Sequence, residues 1–347
     1  MRPQRAVATE IGTMPMRAAR SRLVATAIAI LAVSVCACTQ SSGADTWPAR
    51  PVRLIVPYAA GSGIDLAARL YAPLLAERWQ RPVVVDNRPG GDGTAGVQAF
   101  VVGNDRHTLL VAPIGVVTVI PLLHDRLPYD AKRDLVPISA AARVSMGIAV
   151  ASDVSVHSLS ELIVLVRRRP DQYLWGAAPG LPEMVFKAFL ELEKLQMKHV
   201  PYRDTSSAVH DFNAGRIHVM VAALATMNAP LESGAARLLV VTNSTRTPAA
   251  PDIPTARESG YPALTVDGLF GFYGWRDLPS DLSQRIAADV RRAAADRVLA
   301  SRLANVGLVV TAGTADELAS AMADQQAQVN EIAKVLGLRR PGHEGGR

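Results

Sequence analysis

From residue 52 onward short apolar runs alternate with helical stretches, and that alternation restricts the chain to few folds. VRLIVPY (52–58) is β-branched and short enough for a buried strand, DLAARLYAPLLAERW (65–79) spaces its apolar residues as a helix does, and PVVVDN (82–87) is β-branched again. Strand, helix and strand in that order argue for parallel strands joined by a right-handed crossover. The unit recurs in a helical stretch around 93–102 with HTLLVAP (107–113), in SMGIAVASD (145–153) with SLSELIVLVRRRP (158–170), and in QYLWGAA (172–178) with EMVFKAFLELEKL and HVPY (199–202). SSAVHDFNAG, RIHVMVAAL and ARLLVVTN (236–243) continue it. Ser158 reads as a helix cap and Pro170 as a helix stop. A proline-rich link, STRTPAAPDIPT (244–255), breaks the alternation before an aromatic strand candidate, LTVDGLFGFYGW (264–275), and two polar helices from Ser280 and Thr314.

A chain of 347 residues exceeds the roughly 250–300 at which one core tends to split. Two α/β lobes are expected, each a mostly parallel sheet flanked by helices. Residues 47–148 with 247–347 form one and 149–246 the other. A chain that leaves one lobe, builds a second and returns encloses a cleft suited to closing on a ligand.

The net charge of +6 suggests nucleic acid only until it is located, because +4 of it falls before residue 23. What remains is nearly balanced, with no basic stripe interleaved with aromatics, so no nucleic-acid partner is expected. The basic start is followed by LVATAIAILAVSVCAC (23–38), an apolar run short for a membrane span, and then by TQSSGAD. Residues 1–44 therefore read as a secretory signal, with Met14 or Met16 as alternative starts. Cleavage before Asp45 is preferred to lipidation at Cys38 in an imperfect lipoprotein box. A chain starting at Asp45 keeps neither Cys36 nor Cys38 and so has no disulfide.

In VPYAAGSGIDLAARL (56–70) a strand ends, a glycine turn follows and a helix begins near Ile64 or Asp65. Unpaired N–H groups, the positive helix end and unobstructed backbone at Gly61 and Gly63 can hold a carboxylate or phosphate without a cationic side chain. The competing reading is a tight turn capped by Asp65. A dinucleotide site is not supported, since Leu66 stands where a third glycine is required. WGAAPGLPE (175–183) repeats the small-residue turn in the second lobe, whereas DNRPGGDGTAG (86–96) by itself is only a loop. Thr205 and Ser206, after VPYRD, are either ligand donors at a further helix start or a helix cap beside a surface pair. Tyr58 is a candidate wall with a hydroxyl donor, and Trp175 is read as core. No HExxH, paired CxxC, GxSxG or Walker loop occurs, so no metal site, cofactor or catalytic group is expected.

Residues 47–100 with LPYDAKRDLVPIS (127–139), HVPYRDTSSAVHDFNAGRIHVM (199–220) and VTNSTRTPAAPDIPTARESGYP (241–262) resemble the receptors of tripartite tricarboxylate transporters, also called the Bug family. The resemblance implies a two-lobed periplasmic binding-protein fold of the Venus-flytrap kind. It implies a small organic carboxylate as ligand, and delivery to membrane permease subunits without catalysis. It places backbone carboxylate contacts in the turns matching residues 58–65 and 177–183. The ligand set expected on these grounds is Tyr58, Ala60, Gly61, Ser62, Gly63, Asp65, Ala178, Gly180, Glu183, Thr205 and Ser206.

Departures shape the expectation. Ser62 and Ile64 stand where the family has glycine and threonine, and Glu183 aligns with a histidine, where it is expected to cap its helix, to face away or to meet a donor on the ligand. Pro113, Ile114, Val116, Ile120, Ala222 and Ala223 replace polar positions, which favours a monocarboxylate with an apolar body. A monomeric periplasmic receptor is the expectation. A receptor for a membrane signalling partner and a secreted enzyme acting on an anionic substrate are the alternatives.

Overall fold

The structure is a computed structural model that describes residues 47–338 apart from Asp125. The signal segment, with Met14, Met16, Cys36, Cys38 and the competing cleavage sites, lies outside the described residues. Of the described residues, those from 50 to 338 fall in one compact unit.

Two sheets organise that unit. The first contains β1 (Val52–Val56), β2 (Val83–Asn87), β3 (Thr108–Pro113), β4 (Leu135–Val144), β10 (Gly268–Trp275) and β11 (Leu308–Val310), in the spatial order β11-β4-β10-β3-β1-β2. The second contains β5 (Met146–Ala151), β6 (Leu174–Ala177), β7 (Lys198–His199), β8 (Val219–Ala223) and β9 (Ala236–Val241), ordered β7-β6-β8-β5-β9. Helix α1 (Gly63–Trp79) joins β1 to β2, and α2 (Thr94–Gly103) joins β2 to β3. In the second sheet α3 (Leu159–Arg168) follows β5, α4 (Leu181–Leu192) follows β6, α5 (Thr205–Asn213) follows β7 and α6 (Leu224–Glu232) follows β8. Helices α7 (Ser280–Ala294), α8 (Arg297–Ala304) and α9 (Ala315–Val335) complete the chain.

Both sheets are mixed, with most strands of each running one way, as expected, and a minority against them. Strands β2, β1 and β3 run parallel, as do β7, β6 and β8, but β10 runs antiparallel to β3 and β4, and β5 antiparallel to β8 and β9. The reason lies in the crossings. Val144 pairs with Gly268, and Phe270 with Pro113, so the chain leaves the first sheet, and later re-enters it, at the carboxyl edge of β3. Met146 pairs with Ala223, so the chain arrives in the second sheet at the carboxyl edge of β8. A strand that starts at a carboxyl edge can only run back against its parallel neighbours.

Side-chain alternation explains the two-sided second sheet. Ile148 and Val150 join Val219, Val221 and Trp175 on the face under α3 and α4, while Ala149, Met220 and Ala222 lie on the face under α5 and α6. Residues 247–266, assigned above to the lobe of the first sheet, contribute Ala256, Leu264 and Val266 to the second sheet's core. The cause is the backbone: the Val241 N–H donates to Pro254 O and the Ala256 N–H to Val241 O, which holds the proline-rich link against β9. Helix α9 is shared. Leu318 packs over β10 at Gly271, while Val329 and Ile332 join the second core.

Candidate functional site

The strand order marks two candidate positions for a ligand. In an open α/β sheet ligands sit beyond the carboxyl ends of strands where successive connections diverge. The order β2-β1-β3 puts one such point between β1 and β3, and β7-β6-β8 puts the other between β6 and β8. The turn after β1 is residues 57–62 and the turn after β6 is residues 178–180, so both glycine turns occupy switch points. Val144, Ser145 and Met146 tie the two carboxyl edges together, and both turns therefore open onto the space between the sheets.

The first turn is tied down from beneath. Ser62, not Asp65, caps α1: its side chain accepts the Asp65 N–H at 3.4 Å. The Asp65 carboxylate is buried, 1% exposed, and accepts the Gly61 N–H at 2.8 Å, Asn87 Nδ2 at 2.9 Å and Arg69 Nε at 3.0 Å. Asn87 also donates to Tyr58 O at 3.0 Å and accepts from Arg69 at 2.9 Å. Burial pushes the Asp65 carboxyl up, but the bonds from Arg69, Gly61 and Asn87 outweigh it and hold the group below its ordinary value. Gly61 has φ of +84°, which a side chain would strain. Asp65 and the Gly61 N–H, both expected to face a ligand, are thus spent inside the lobe. Among the described residues the N–H groups of Gly63 and Ile64 have no acceptor. Tyr58 opens this turn; among the described residues its hydroxyl makes no hydrogen bond, and burial, the Asp92 carboxylate and Tyr129 push it up to about 12, so it remains a donor. A Cβ on Gly93 would come within 3.4 Å of that hydroxyl.

The second turn is built differently. Gly180, with φ +91° and ψ −133°, precedes α4 and offers no side-chain cap. The Ala178 N–H is spent on Val221 O, and Pro182 has none to offer, so the unpaired donors among the described residues are the N–H groups of Gly180, Leu181 and Glu183. Glu183 does not cap its helix. Its Oε1 lies 3.6 Å from His199 Nε2, and the imidazole stacks on buried Trp175 at 4.2 Å between ring centroids. Burial pushes His199 below its ordinary value; Glu183 opposes the shift and Lys187 adds to it.

The third helix start is occupied. Asp204 caps α5 by accepting the Ser207 N–H at 2.8 Å and hydroxyl at 3.1 Å, and its lowered carboxyl also faces the Ser206 N–H. Thr205 and Ser206 retain their hydroxyls at the carboxyl end of β7.

Of the apolar replacements, Pro113 and Ala223 stay partly exposed at the carboxyl ends of β3 and β8, and Ala222 is buried. Ile114, Val116 and Ile120 are 2%, 1% and 5% exposed, because the chain after β3 turns them into the core. Sequence reading missed Asn87, Arg69 and His199. The spacing of Asp65 and Arg69, four apart on one helix, signalled one of these contacts; nothing local signalled the other two. A cavity of about 170 Å³ lies at the opposite edge of the first sheet, between Phe100, Asn104, Asp134 and Trp275, and contains no turn residue. Among the described residues no three His, Cys, Asp or Glu side chains gather into a metal-holding group.

Two α/β sheets with switch-point turns opening onto one shared space define the two-lobed periplasmic binding-protein class. Residues 67–338 match the tripartite tricarboxylate transporter family receptor, and the chain belongs to that family. It is 29% identical over 293 residues to protein BugT of Bordetella pertussis, covering 81% of this chain and 88% of that one. Among solved structures it resembles R. palustris Rpa4515 with adipate, at TM-score 0.75 and 26% identity over 84% of this chain and 99% of that one. The periplasmic binding protein BugD is similar at TM-score 0.71 and 25% identity, over 84% and 99% of the two chains.

Proposed function

We propose that this chain is a periplasmic receptor that binds a small organic carboxylate between its sheets and delivers it to the membrane permease subunits of a tripartite transporter. The carrying observation is the pair of unpaired N–H groups at Gly63 and Ile64, held at a switch point by the buried Asp65–Asn87–Arg69 network. A carboxylate there gains two backbone bonds and the positive end of a helix of 17 residues, with Tyr58 as a further donor. The lobes close about the crossings at 144–146 and 241–268, the protein acts as a monomer, and it releases its ligand unchanged. The adipate held by the R. palustris relative supports a carboxylate as the ligand class.

The test is thermal unfolding of the purified protein across a library of organic acids. A ligand at one hundred times its Kd adds about 2.7 kcal/mol to the folded state, enough to raise the midpoint by several degrees. Failure of every acid to raise it would remove the carboxylate reading.

A further inference from the structure

The acid at the third helical position is disposed of in opposite ways in the two turns. In α1 it is Asp65, turned inward and matched by Arg69 and Asn87. In α4 it is Glu183, whose side chain keeps 29% of its exposure and whose nearest charge partner is an imidazole. That imidazole is fixed on Trp175, and burial favours its neutral form, so at neutral pH it does not cancel the Glu183 charge. In a helix Cβ atoms lean toward the amino end, so the Glu183 Cβ leans toward the Gly180 turn, and its Oε1 reaches His199 at the end of β7. Proline at 182 removes one of the N–H groups that could hold an anion there. The Glu183 carboxylate opposes the rest of the positive helix end.

We propose that the cleft selects an aminocarboxylate, its carboxylate on the Gly63 and Ile64 N–H groups and its ammonium on Glu183. The proposal rests on the carboxylate-receptor reading above and narrows it. A dicarboxylate of the same length would place its second anion beside Glu183, where like charges repel. An aminocarboxylate gains a charge-assisted bond at the same place. Specificity then comes as much from the group rejected as from the group bound.

Calorimetric titration of the purified protein with matched sets decides it: 6-aminohexanoate, hexanoate and adipate, then 4-aminobutyrate, butyrate and succinate. The proposal expects one aminocarboxylate to bind at least about tenfold tighter than its dicarboxylate, about 1.4 kcal/mol. In Glu183→Gln, which keeps a hydrogen-bonding group toward His199, the preference falls to within about threefold because the dicarboxylate gains. Glu183→Ala serves as the second variant should the first fail to fold. Dicarboxylates binding tighter than aminocarboxylates at both lengths in the unmodified protein would overturn the proposal alone and leave the carboxylate reading standing. A preference that survives loss of Glu183 would also overturn it alone. Binding of none of the six, in a chain that other organic acids do stabilise, overturns it too; if no organic acid binds, both fall.

Discussion

The turn after β1 and the turn after β6 share a plan and differ in what they do with charge. Each follows a strand at a switch point, each contains a glycine at positive φ, and each leaves two helix N–H groups unpaired. The first has a serine cap and an acid buried among donors. The second has no side-chain cap, a proline in its first turn and an acid facing a histidine. On the proposed reading, backbone geometry sets where a ligand sits, and the orientation of one acid sets which of its groups is favoured.

The largest expected effect comes from breaking the buried side of the comparison. Asp65→Asn removes a charge that accepts three bonds and should cost about 2 kcal/mol in denaturant unfolding, whereas Glu183→Gln should cost less than about 0.5 kcal/mol. Equal costs would show that the two acids are alike in burial and pairing. Next come the glycines. Gly61→Ala and Gly180→Ala meet nothing within 4 Å, so their cost is backbone strain alone, about 1 kcal/mol at Gly61 and about 1–3 kcal/mol at Gly180. Ligand affinity should fall with each substitution.

Acid sharpens the same contrast. A carboxyl held below its unfolded value contributes stability that is present above that value and lost as pH falls through the folded one. Asp65 is such a group, with an ordinary value of 3.8, so the stability gap between the native chain and Asp65→Asn should narrow as pH drops below 3.8. Unfolding free energies measured at pH 6 and at lower pH test the sign. A smaller effect is expected at the cap: Ser62→Ala loses a long 3.4 Å bond and should cost about 0.5 kcal/mol, while α4 has no such bond to lose.

The parts of the fold governed by local pattern were legible. The β1–α1–β2 unit, the Ser158 cap and the Thr314 start, which is a full capping box, follow from residue order. The antiparallel β10 was not legible, since its partners β3 and β4 are set by where the chain re-enters the first sheet. The short α8 and β11 carry too little periodicity to stand out. Within the site, the glycine turns announced themselves, but the fate of each acid depended on partners far along the chain. Asn87 lies 22 residues from Asp65, and His199 reaches Glu183 only because β7 pairs with β6. Ile114, Val116 and Ile120 misled because apolar residues after a strand line a cleft or fill a core, and only packing separates the two.

On the proposed reading a ligand carboxylate sits on the unpaired N–H groups of α1. Amide resonances followed through titration with a stabilising organic acid test it directly. Saturable downfield shifts are expected at Gly63 and Ile64, larger than the shift at Gly61, whose N–H is already bonded to Asp65. Saturation of binding with Gly63 and Ile64 unmoved would contradict it.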